Sequence, residues 1–458
     1  MKLTVEAIAK AVKAKQGRGD KKTVITGVEF DSRKITAGNL FVPLAGARDG
    51  HDFIEQAIAN GATATLWSRS LEEAPKTITV ILVAEILPAM QALAKFYLKT
   101  VAPDVIAITG SNGKTTTKDM TEAVLAQKFA TYKTQGNYNN DIGLPYTILQ
   151  MPDTTEKLIL EMGMDHFGEI ELLSQIAEPT VAAITMVGEA HIENLGSRAG
   201  IAKAKMEIVS GLQKNGVLFI PADEELLANE VAELPQKVKT FGLAAGDIAG
   251  RVIAEEAEAT TFEVAGGNFT IPVIGAYNVS NALIAYGIGT WFGLTIAEIR
   301  EGLGSFQLTK NRTEWLKAAN GADILSDVYN ANPTAMALVI DTFVKLPRAT
   351  GKKYLVLADM LALGEQSFEM HASLESHIQP ADVAEVFLYG PEMMALYVLL
   401  VKKFPQLNVH HFDQENKAGL INSLKKVLQP EDAVMLKGSN GMQLNQVVAA
   451  LMEQAEEA

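Results

Sequence analysis

Cysteine is absent from the 458-residue chain, which excludes disulfides, zinc ribbons and thiol catalysis and fits a reducing compartment. A basic stripe is also missing. The 40 Lys and Arg against 54 Asp and Glu leave a formal net charge of −14, so nothing stands ready to neutralise a phosphodiester backbone and no nucleic-acid partner is expected. No apolar run reaches bilayer length. The N-terminal MKLTVEAIAKAVKAK predicts a short amphipathic helix, with Val5, Ile8 and Val12 on one side, Lys10, Lys13 and Lys15 on the other, and Thr4 as its cap. It has no apolar core of signal-peptide length, so neither export nor membrane insertion is expected and the location is read as cytoplasmic. Internal repeats and low-complexity tracts are lacking as well.

What is present is an apolar content of 48% on a chain too long for one core, which predicts about three domains. Their texture differs. Residues 1–83 mix helices with short strands at 24–30, 39–44, 62–67 and 77–83, and the run 86–100 predicts a helix ending before Pro103. Residues 84–310 carry near-continuous apolar strands, VIAIT (105–109), LILEM (158–162) and VAAITM (181–186), as expected of a parallel sheet covered on both faces. Alternation over 250–274 predicts an antiparallel addition to it. Residues 311–458 alternate strand and helix, with strands at DILSD, YLVLA, EVFLY, VHHF and DAVML, and predict a doubly wound sheet of their own. The fold class is therefore α/β, in three domains: a small α/β domain, a phosphate-loop parallel-sheet domain and a Rossmann-like domain. The last lacks a G-x-G-x-x-G turn, so a dinucleotide cofactor is not indicated.

The segment VIAITGSNGKTTT (105–117) runs from an apolar strand into a glycine-containing loop and then a helix. Backbone N–H groups from Gly110 through Ser111, Asn112, Gly113, Lys114 and Thr115 to Thr116 can curl around the phosphates of a nucleoside triphosphate. Lys114, expected to face solvent in the empty loop, would reach the β- and γ-phosphates, and the Thr115 hydroxyl would sit on Mg²⁺. Ile108 stands where the longer form of this motif has a glycine, so the loop is a shortened variant.

In an open parallel sheet, ligands gather at the carboxyl ends of the strands. Glu161 and His191 follow two such ends and suggest divalent-metal ligands; a helix-capping carboxylate and a structural histidine are the plainer alternatives. Between them QGNYNNDIGLP (135–145) offers Asn137 and Asn140 for substrate contact. If 199–212 is one helix, Ile201, Lys205, Ile208, Val209 and Leu212 share a face, while Lys203 and Glu207 pair on the other. Lys205 then either snorkels outward or stands neutral and chemically modified. Asn278 and Asn281 open a later helix, and Arg312, Asp327 and Tyr329 lie at the second domain boundary, where a cleft could close on a nucleotide.

Taken in order, TGSNGKTTT, NYNNDIGLP, EMGMDHFGEI, AHIENLGS, AYNVSNALIA, DVYNANP and LKGSNGMQ resemble the Mur ligase family across almost the whole chain. Two positions depart from its pattern: Tyr277 where a histidine is usual, and Asn440 where an arginine is usual. The family's enzymes use ATP to form amide bonds in the peptidoglycan precursor. Within it, the DSRKITAGNLFVPLAGARDGHDF stretch, NRTEW and ADMLALGE are similar to the member that joins D-Ala-D-Ala to UDP-MurNAc-tripeptide. The resemblance implies an acyl-phosphate intermediate and two Mg²⁺ ions, one on Thr115 and Glu161, the other on His191 and a carbamylated Lys205, with Lys114 neutralising phosphate charge. It further implies ATP contacts from Asn281, Arg312 and Asp327, UDP contacts from Ser32 and Arg33, and a monomeric protein. The plainer reading of DSR is a turn. A nucleotide-driven switch without ligase activity is the competing functional class.

Overall fold

The structure is a computed structural model that describes residues 1–310, 312–347 and 350–453. Residue 311, where the third region was expected to begin, and residues 454–458 at its end lie outside the described residues. Three α/β domains are present, each built on its own main sheet. No helix among the described residues is long and apolar enough to cross a membrane.

The first sheet has five strands, ordered Gln16–Arg18, Thr79–Leu82, Ala64–Trp67, Asn39–Phe41 and Gly27–Glu29. The strand expected over 24–30 is two strands in two sheets. Val24–Ile25 pairs antiparallel with Leu3–Thr4, and Gly27–Glu29 pairs parallel with Asn39–Phe41. The expected 39–44 strand stops at Phe41, before Pro43, which has no N–H to donate to a ladder. Thr4 caps the first helix as anticipated, accepting from the Ala7 N–H at 3.2 Å, and the helix runs Val5–Ala11. The next predicted helix spans Ile86–Val101 and ends at Ala102 in the left-handed conformation.

The central sheet has nine strands, and its middle decides where chemistry can occur. Asp104–Thr109 lies between Val181–Ile184 and Lys157–Glu161, all parallel, so the loop after Thr109, the Glu161 carboxylate and the segment leading to His191 emerge side by side. The alternation of a strand is visible in its burial. Val105 and Ala107 join one apolar cluster, Ile106 and Ile108 another, so both faces are covered. The antiparallel addition comprises Ile248–Glu255, Thr260–Val264 and Gly267–Ile271.

The third sheet has six strands where the pattern suggested five. Asp323–Asp327, Ala433–Lys437, Lys353–Ala358, Glu385–Tyr389 and Asn408–Phe412 are parallel, and Glu314–Lys317 adds an antiparallel edge.

The helix Lys114–Leu125 that follows the phosphate loop packs against Ala276–Trp291 and Ile296–Ser305. Close approach there depends on small residues. A Cβ at Gly302 would lie 2.5 Å from Val124 Cα, and one at Gly289 would lie 2.8 Å from Val124 Cγ1. Gly302 faces backbone, which cannot rotate aside. Gly302→Ala is expected to destabilise the protein by about 1–3 kcal/mol through overpacking, offset only slightly by the better helix propensity of alanine. Urea unfolding should show a lowered midpoint, and an unchanged one would contradict this account of the helix contact.

Candidate active site

The carboxyl ends of the central strands open into a cleft of about 330 Å³. Its floor is the phosphate loop. The loop is pinned from behind: the Ser111 N–H donates to the Met186 carbonyl at 3.0 Å, and the Ser111 hydroxyl accepts from the Gly188 N–H at 2.9 Å. Thr185 Oγ1 donates to the Asn112 carbonyl. Ser111 therefore holds the loop to the neighbouring strand end, and its own N–H is engaged. Gly113 precedes the helix in a left-handed conformation at φ 80°, and no side chain caps the helix start. The first N–H groups of the helix thus remain open to an anion, with the helix dipole behind them. A Cβ at Gly113 would stand 2.4 Å from Asn281 Oδ1, so glycine is also what lets Asn281 reach the loop.

Lys114 departs from the expectation of a solvent-facing side chain. It is half-buried, and its Nζ donates to the Gly110 carbonyl at 2.8 Å, folded over its own loop. Burial, with the Arg312 charge adding to it, holds its ammonium below the usual lysine value against the pull of Glu161 and Asp165. Thr115 Oγ1 donates to Glu161 Oε2 at 2.9 Å, and the other Glu161 oxygen accepts from Asn139 Nδ2 at 2.8 Å. Asn137 and Asn140 line the same cleft. The side-chain amide oxygen of Asn140 is already in use, accepting from the Gly143 N–H at 2.8 Å.

His191 begins the short helix Ile192–Leu195, with Nδ1 3.0 Å from Asp165 Oδ1. Burial lowers its pKa despite Asp165, and the Lys114 and Lys205 charges push in the same direction. Lys205 lies on Arg198–Met206, 2% exposed, and lines the cleft without a carboxylate partner among the described residues. Burial first, then the charge on Lys114, place its pKa well below the ordinary value. The expected single helix over 199–212 is corrected. The α-helix ends at Met206, and a 3₁₀ turn follows over Glu207–Ser210. The expected Lys203–Glu207 pair is absent, because Glu207 instead accepts from the Gly168 and Glu171 N–H groups at 2.8 and 3.2 Å. These N–H donors at the start of the helix Glu169–Ala177 win over an exposed lysine.

From the third domain come Tyr329, Asn330 and Asn440, and from the interdomain segment Arg312. Arg312 lies 4.0 Å over the Tyr329 ring and donates to Thr115 Oγ1 at 3.3 Å. A small adjoining cavity is lined by Thr116, Tyr277, Asn278, Asn281, Arg312 and Asp327. Asp327 is buried and bonded to Lys437 Nζ, which also donates to the Asn330 carbonyl at 2.9 Å. Tyr277, standing where histidine is usual in the resembling family, faces Thr313 Oγ1 at 3.3 Å.

Ser32 and Arg33 do not line this cleft. Ser32 Oγ donates to Gln56 at 2.7 Å, and Arg33 grips Asp31 through two bonds of 2.9 and 2.8 Å, which is turn geometry. Sequence reasoning missed Asn139, Asp165 and Lys437. Lys437 carried a usable signal, a lone charge ending an apolar strand, the same feature that singled out Glu161.

Comparison with known proteins identifies the family. Three family descriptions match in order: "Mur ligase family, catalytic domain" over residues 24–98, "Mur ligase middle domain" over 108–289, and "Mur ligase, glutamate ligase domain" over 311–440. The UDP-N-acetylmuramoyl-tripeptide–D-alanyl-D-alanine ligase of Bacillus subtilis (strain 168) is 42% identical, covering 99% of this chain and 99% of its own. A crystal structure of MurF from Acinetobacter baumannii superposes with a TM-score of 0.88 at 28% identity, covering 99% of both chains. That of the Thermotoga maritima MurF ligase in complex with ADP gives 0.80 at 28% identity, covering 93% of this chain and 97% of that one. The chain belongs to the Mur ligase family.

Proposed function

We propose that this protein is the ATP-dependent ligase that adds D-alanyl-D-alanine to UDP-N-acetylmuramoyl-tripeptide in peptidoglycan precursor synthesis. One observation carries the reading: a phosphate loop, an open helix start, three cationic side chains and a hydroxyl–carboxylate pair converge on one cleft between two domains. The full-length likeness to the Bacillus subtilis ligase supports the substrate assignment, and the ADP complex of the Thermotoga relative supports ATP.

In this reading residues 1–83 bind the UDP-sugar, 84–310 bind ATP, and 311–458 cover the nucleotide. The terminal carboxylate of the tripeptide attacks the γ-phosphorus of ATP and ADP leaves, giving an acyl phosphate. The dipeptide amine, having lost a proton, attacks the acyl carbon, and the tetrahedral adduct collapses with release of inorganic phosphate. Two anions must meet in the first step, so charge neutralisation and positioning dominate. Lys114 leaves the Gly110 carbonyl for the phosphates. Arg312, Asn281 and Asp327 hold the nucleotide, with Thr116 and the loop N–H groups around its phosphates. Asn137 and Asn140 face the peptide end, and Ser32 and Arg33 serve the UDP end. Burial lowers the pKa of His191, which favours the neutral imidazole that either a metal ligand or a proton acceptor requires. Substrate and ATP place the reaction in the cytoplasm, and the protein acts as a monomer.

Thr115 Oγ1 and Glu161 Oε2, 2.9 Å apart and facing the cleft, fit a hard cation such as Mg²⁺. No group of three His, Asp or Glu side chains suited to a metal exists among the described residues, so a second ion needs another donor beside His191. Lys205 fits only if its charge is reversed. Its neutral Nζ can attack CO₂, forming an N–C bond and releasing a proton, which turns a buried cation into a carbamate anion. Mg²⁺ bound at these donors would screen phosphate charge during transfer.

Lys114→Ala should lower ligation by about 10²–10³ or more while leaving the melting temperature nearly unchanged, since among the described residues the side chain bonds to its own loop. Phosphate release with and without the dipeptide distinguishes a ligase from a nucleotide switch. Turnover near that of the unaltered enzyme would sink the loop assignment.

Lys205→Ala should lose most activity, and acetate or formate should restore part of it by supplying the missing carboxylate. Protein equilibrated with ¹³C-labelled CO₂ should show a carbamate resonance that the variant lacks. Full activity in the variant, or no resonance in the unaltered protein, would leave Lys205 a plain buried lysine.

A further inference from the structure

The helix Lys114–Leu125 carries a second contact with the interdomain segment, away from the cleft. Asp119 is 1% exposed, and both of its oxygens are engaged. Oδ1 accepts from Lys133 Nζ at 2.9 Å, with Lys118 Nζ 3.6 Å away. Oδ2 accepts from Thr309 twice, from the backbone N–H at 3.0 Å and from the hydroxyl at 2.8 Å. Thr309 belongs to the stretch joining the last central helix, Ile296–Ser305, to the first strand of the third domain, Glu314–Lys317. Three positions further along, Arg312 stacks on Tyr329 and donates to Thr115 Oγ1.

The spacings match. Thr115 and Asp119 are i, i+4 on one helix and so share a face. The stretch they hold crosses that face, touching it at Thr309 and again at Arg312. We propose that Asp119 and Thr309 form a positioning clamp that fixes the register of the interdomain segment on the loop helix and so delivers Arg312 to the nucleotide. A linking segment without such a tie would have to be ordered when the nucleotide binds, and that cost would appear as lost affinity. The two lysines balance the buried carboxylate, so the clamp needs no ligand to form. The proposal rests on the reading of Arg312 as an ATP contact.

The test uses the full-length enzyme and direct ATP binding by calorimetry. Thr309→Val keeps the shape and removes the hydroxyl bond to the carboxylate. It should weaken ATP binding by about five- to tenfold, a loss within the range of one ordinary hydrogen bond, and Thr309→Ser should restore it. Arg312→Ala should also weaken binding. In the Arg312→Ala background, Thr309→Val should cost nothing more, because the clamp acts through that arginine. Three outcomes overturn the proposal: Thr309→Val binding ATP normally while Arg312→Ala does not, equal losses from Thr309→Val with and without Arg312, or an unaffected Arg312→Ala. The last removes the premise about Arg312, whereas the first two remove the clamp alone.

Discussion

Three basic side chains, Lys114, Lys205 and Arg312, are held around one cleft in a protein whose net charge is −14. Burial, with a neighbouring positive charge adding to it, lowers the pKa of both Lys114 and Lys205. Glu161 and Asp165 pull against this at Lys114, but the carboxylates nearby also have other partners. Glu161 is engaged by Thr115 and Asn139, Asp327 by Lys437, and Asp119 by Lys133 and Thr309. What remains is a basic site at the start of a helix whose dipole adds positive potential. A polyanion is the natural complement, and the overall acidity of the chain confines that attraction to one place.

The sheet order makes this concentration possible. Because Asp104–Thr109 has Val181–Ile184 on one side and Lys157–Glu161 on the other, three separate stretches of sequence end within reach of one another. The same neighbours then stiffen the loop. Ser111 and Asn112 are tied to the segment after Ile184, so the loop keeps its shape without a ligand. Preorganisation of this kind lowers the cost of ordering when phosphates arrive.

Much of this was legible in the sequence, and the reasons differ by residue. The phosphate loop, Glu161 and His191 could be found because parallel strands are apolar throughout, so a polar residue at the end of one stands out. Lys205 could be singled out by its apolar neighbours, although the helix carrying it stops sooner than the pattern suggested. Two kinds of feature were hidden. Val24–Ile25 and Gly27–Glu29 read as one strand because local alternation carries no record of which partner each half chooses. Asn139 was one asparagine among three, and only tertiary placement separates the one that binds Glu161 from the one that starts the helix Gly143–Gln150. Asp165 and Asp119 likewise have nothing local to mark them, since their partners lie 26 and 190 positions away in His191 and Thr309.

A further set of contacts joins the domains. Tyr146, on the helix Gly143–Gln150, donates to Glu29 at 2.8 Å and packs edge-on against Phe30, so the turn carrying Ser32 and Arg33 rests on the central domain. The loop before that helix supplies Asn139 to Glu161, which in turn holds Thr115. On the opposite side, Glu189, two residues before His191, accepts from the Thr334 N–H at 3.2 Å and from its hydroxyl at 2.8 Å, at the start of the helix Pro333–Lys345 in the third domain. An N–H at a helix start that would otherwise go without a partner is thus satisfied across a domain boundary. Each flanking domain therefore meets the central one through polar contacts a few residues from a cleft side chain. Motion of either domain must then be felt at the cleft, because the same short loops serve as domain contact and as site wall. One apolar cluster also runs through all three domains, with Val28, Leu144 and Leu325 among its members, so burial supplies the adhesion and the polar contacts specify where the domains meet.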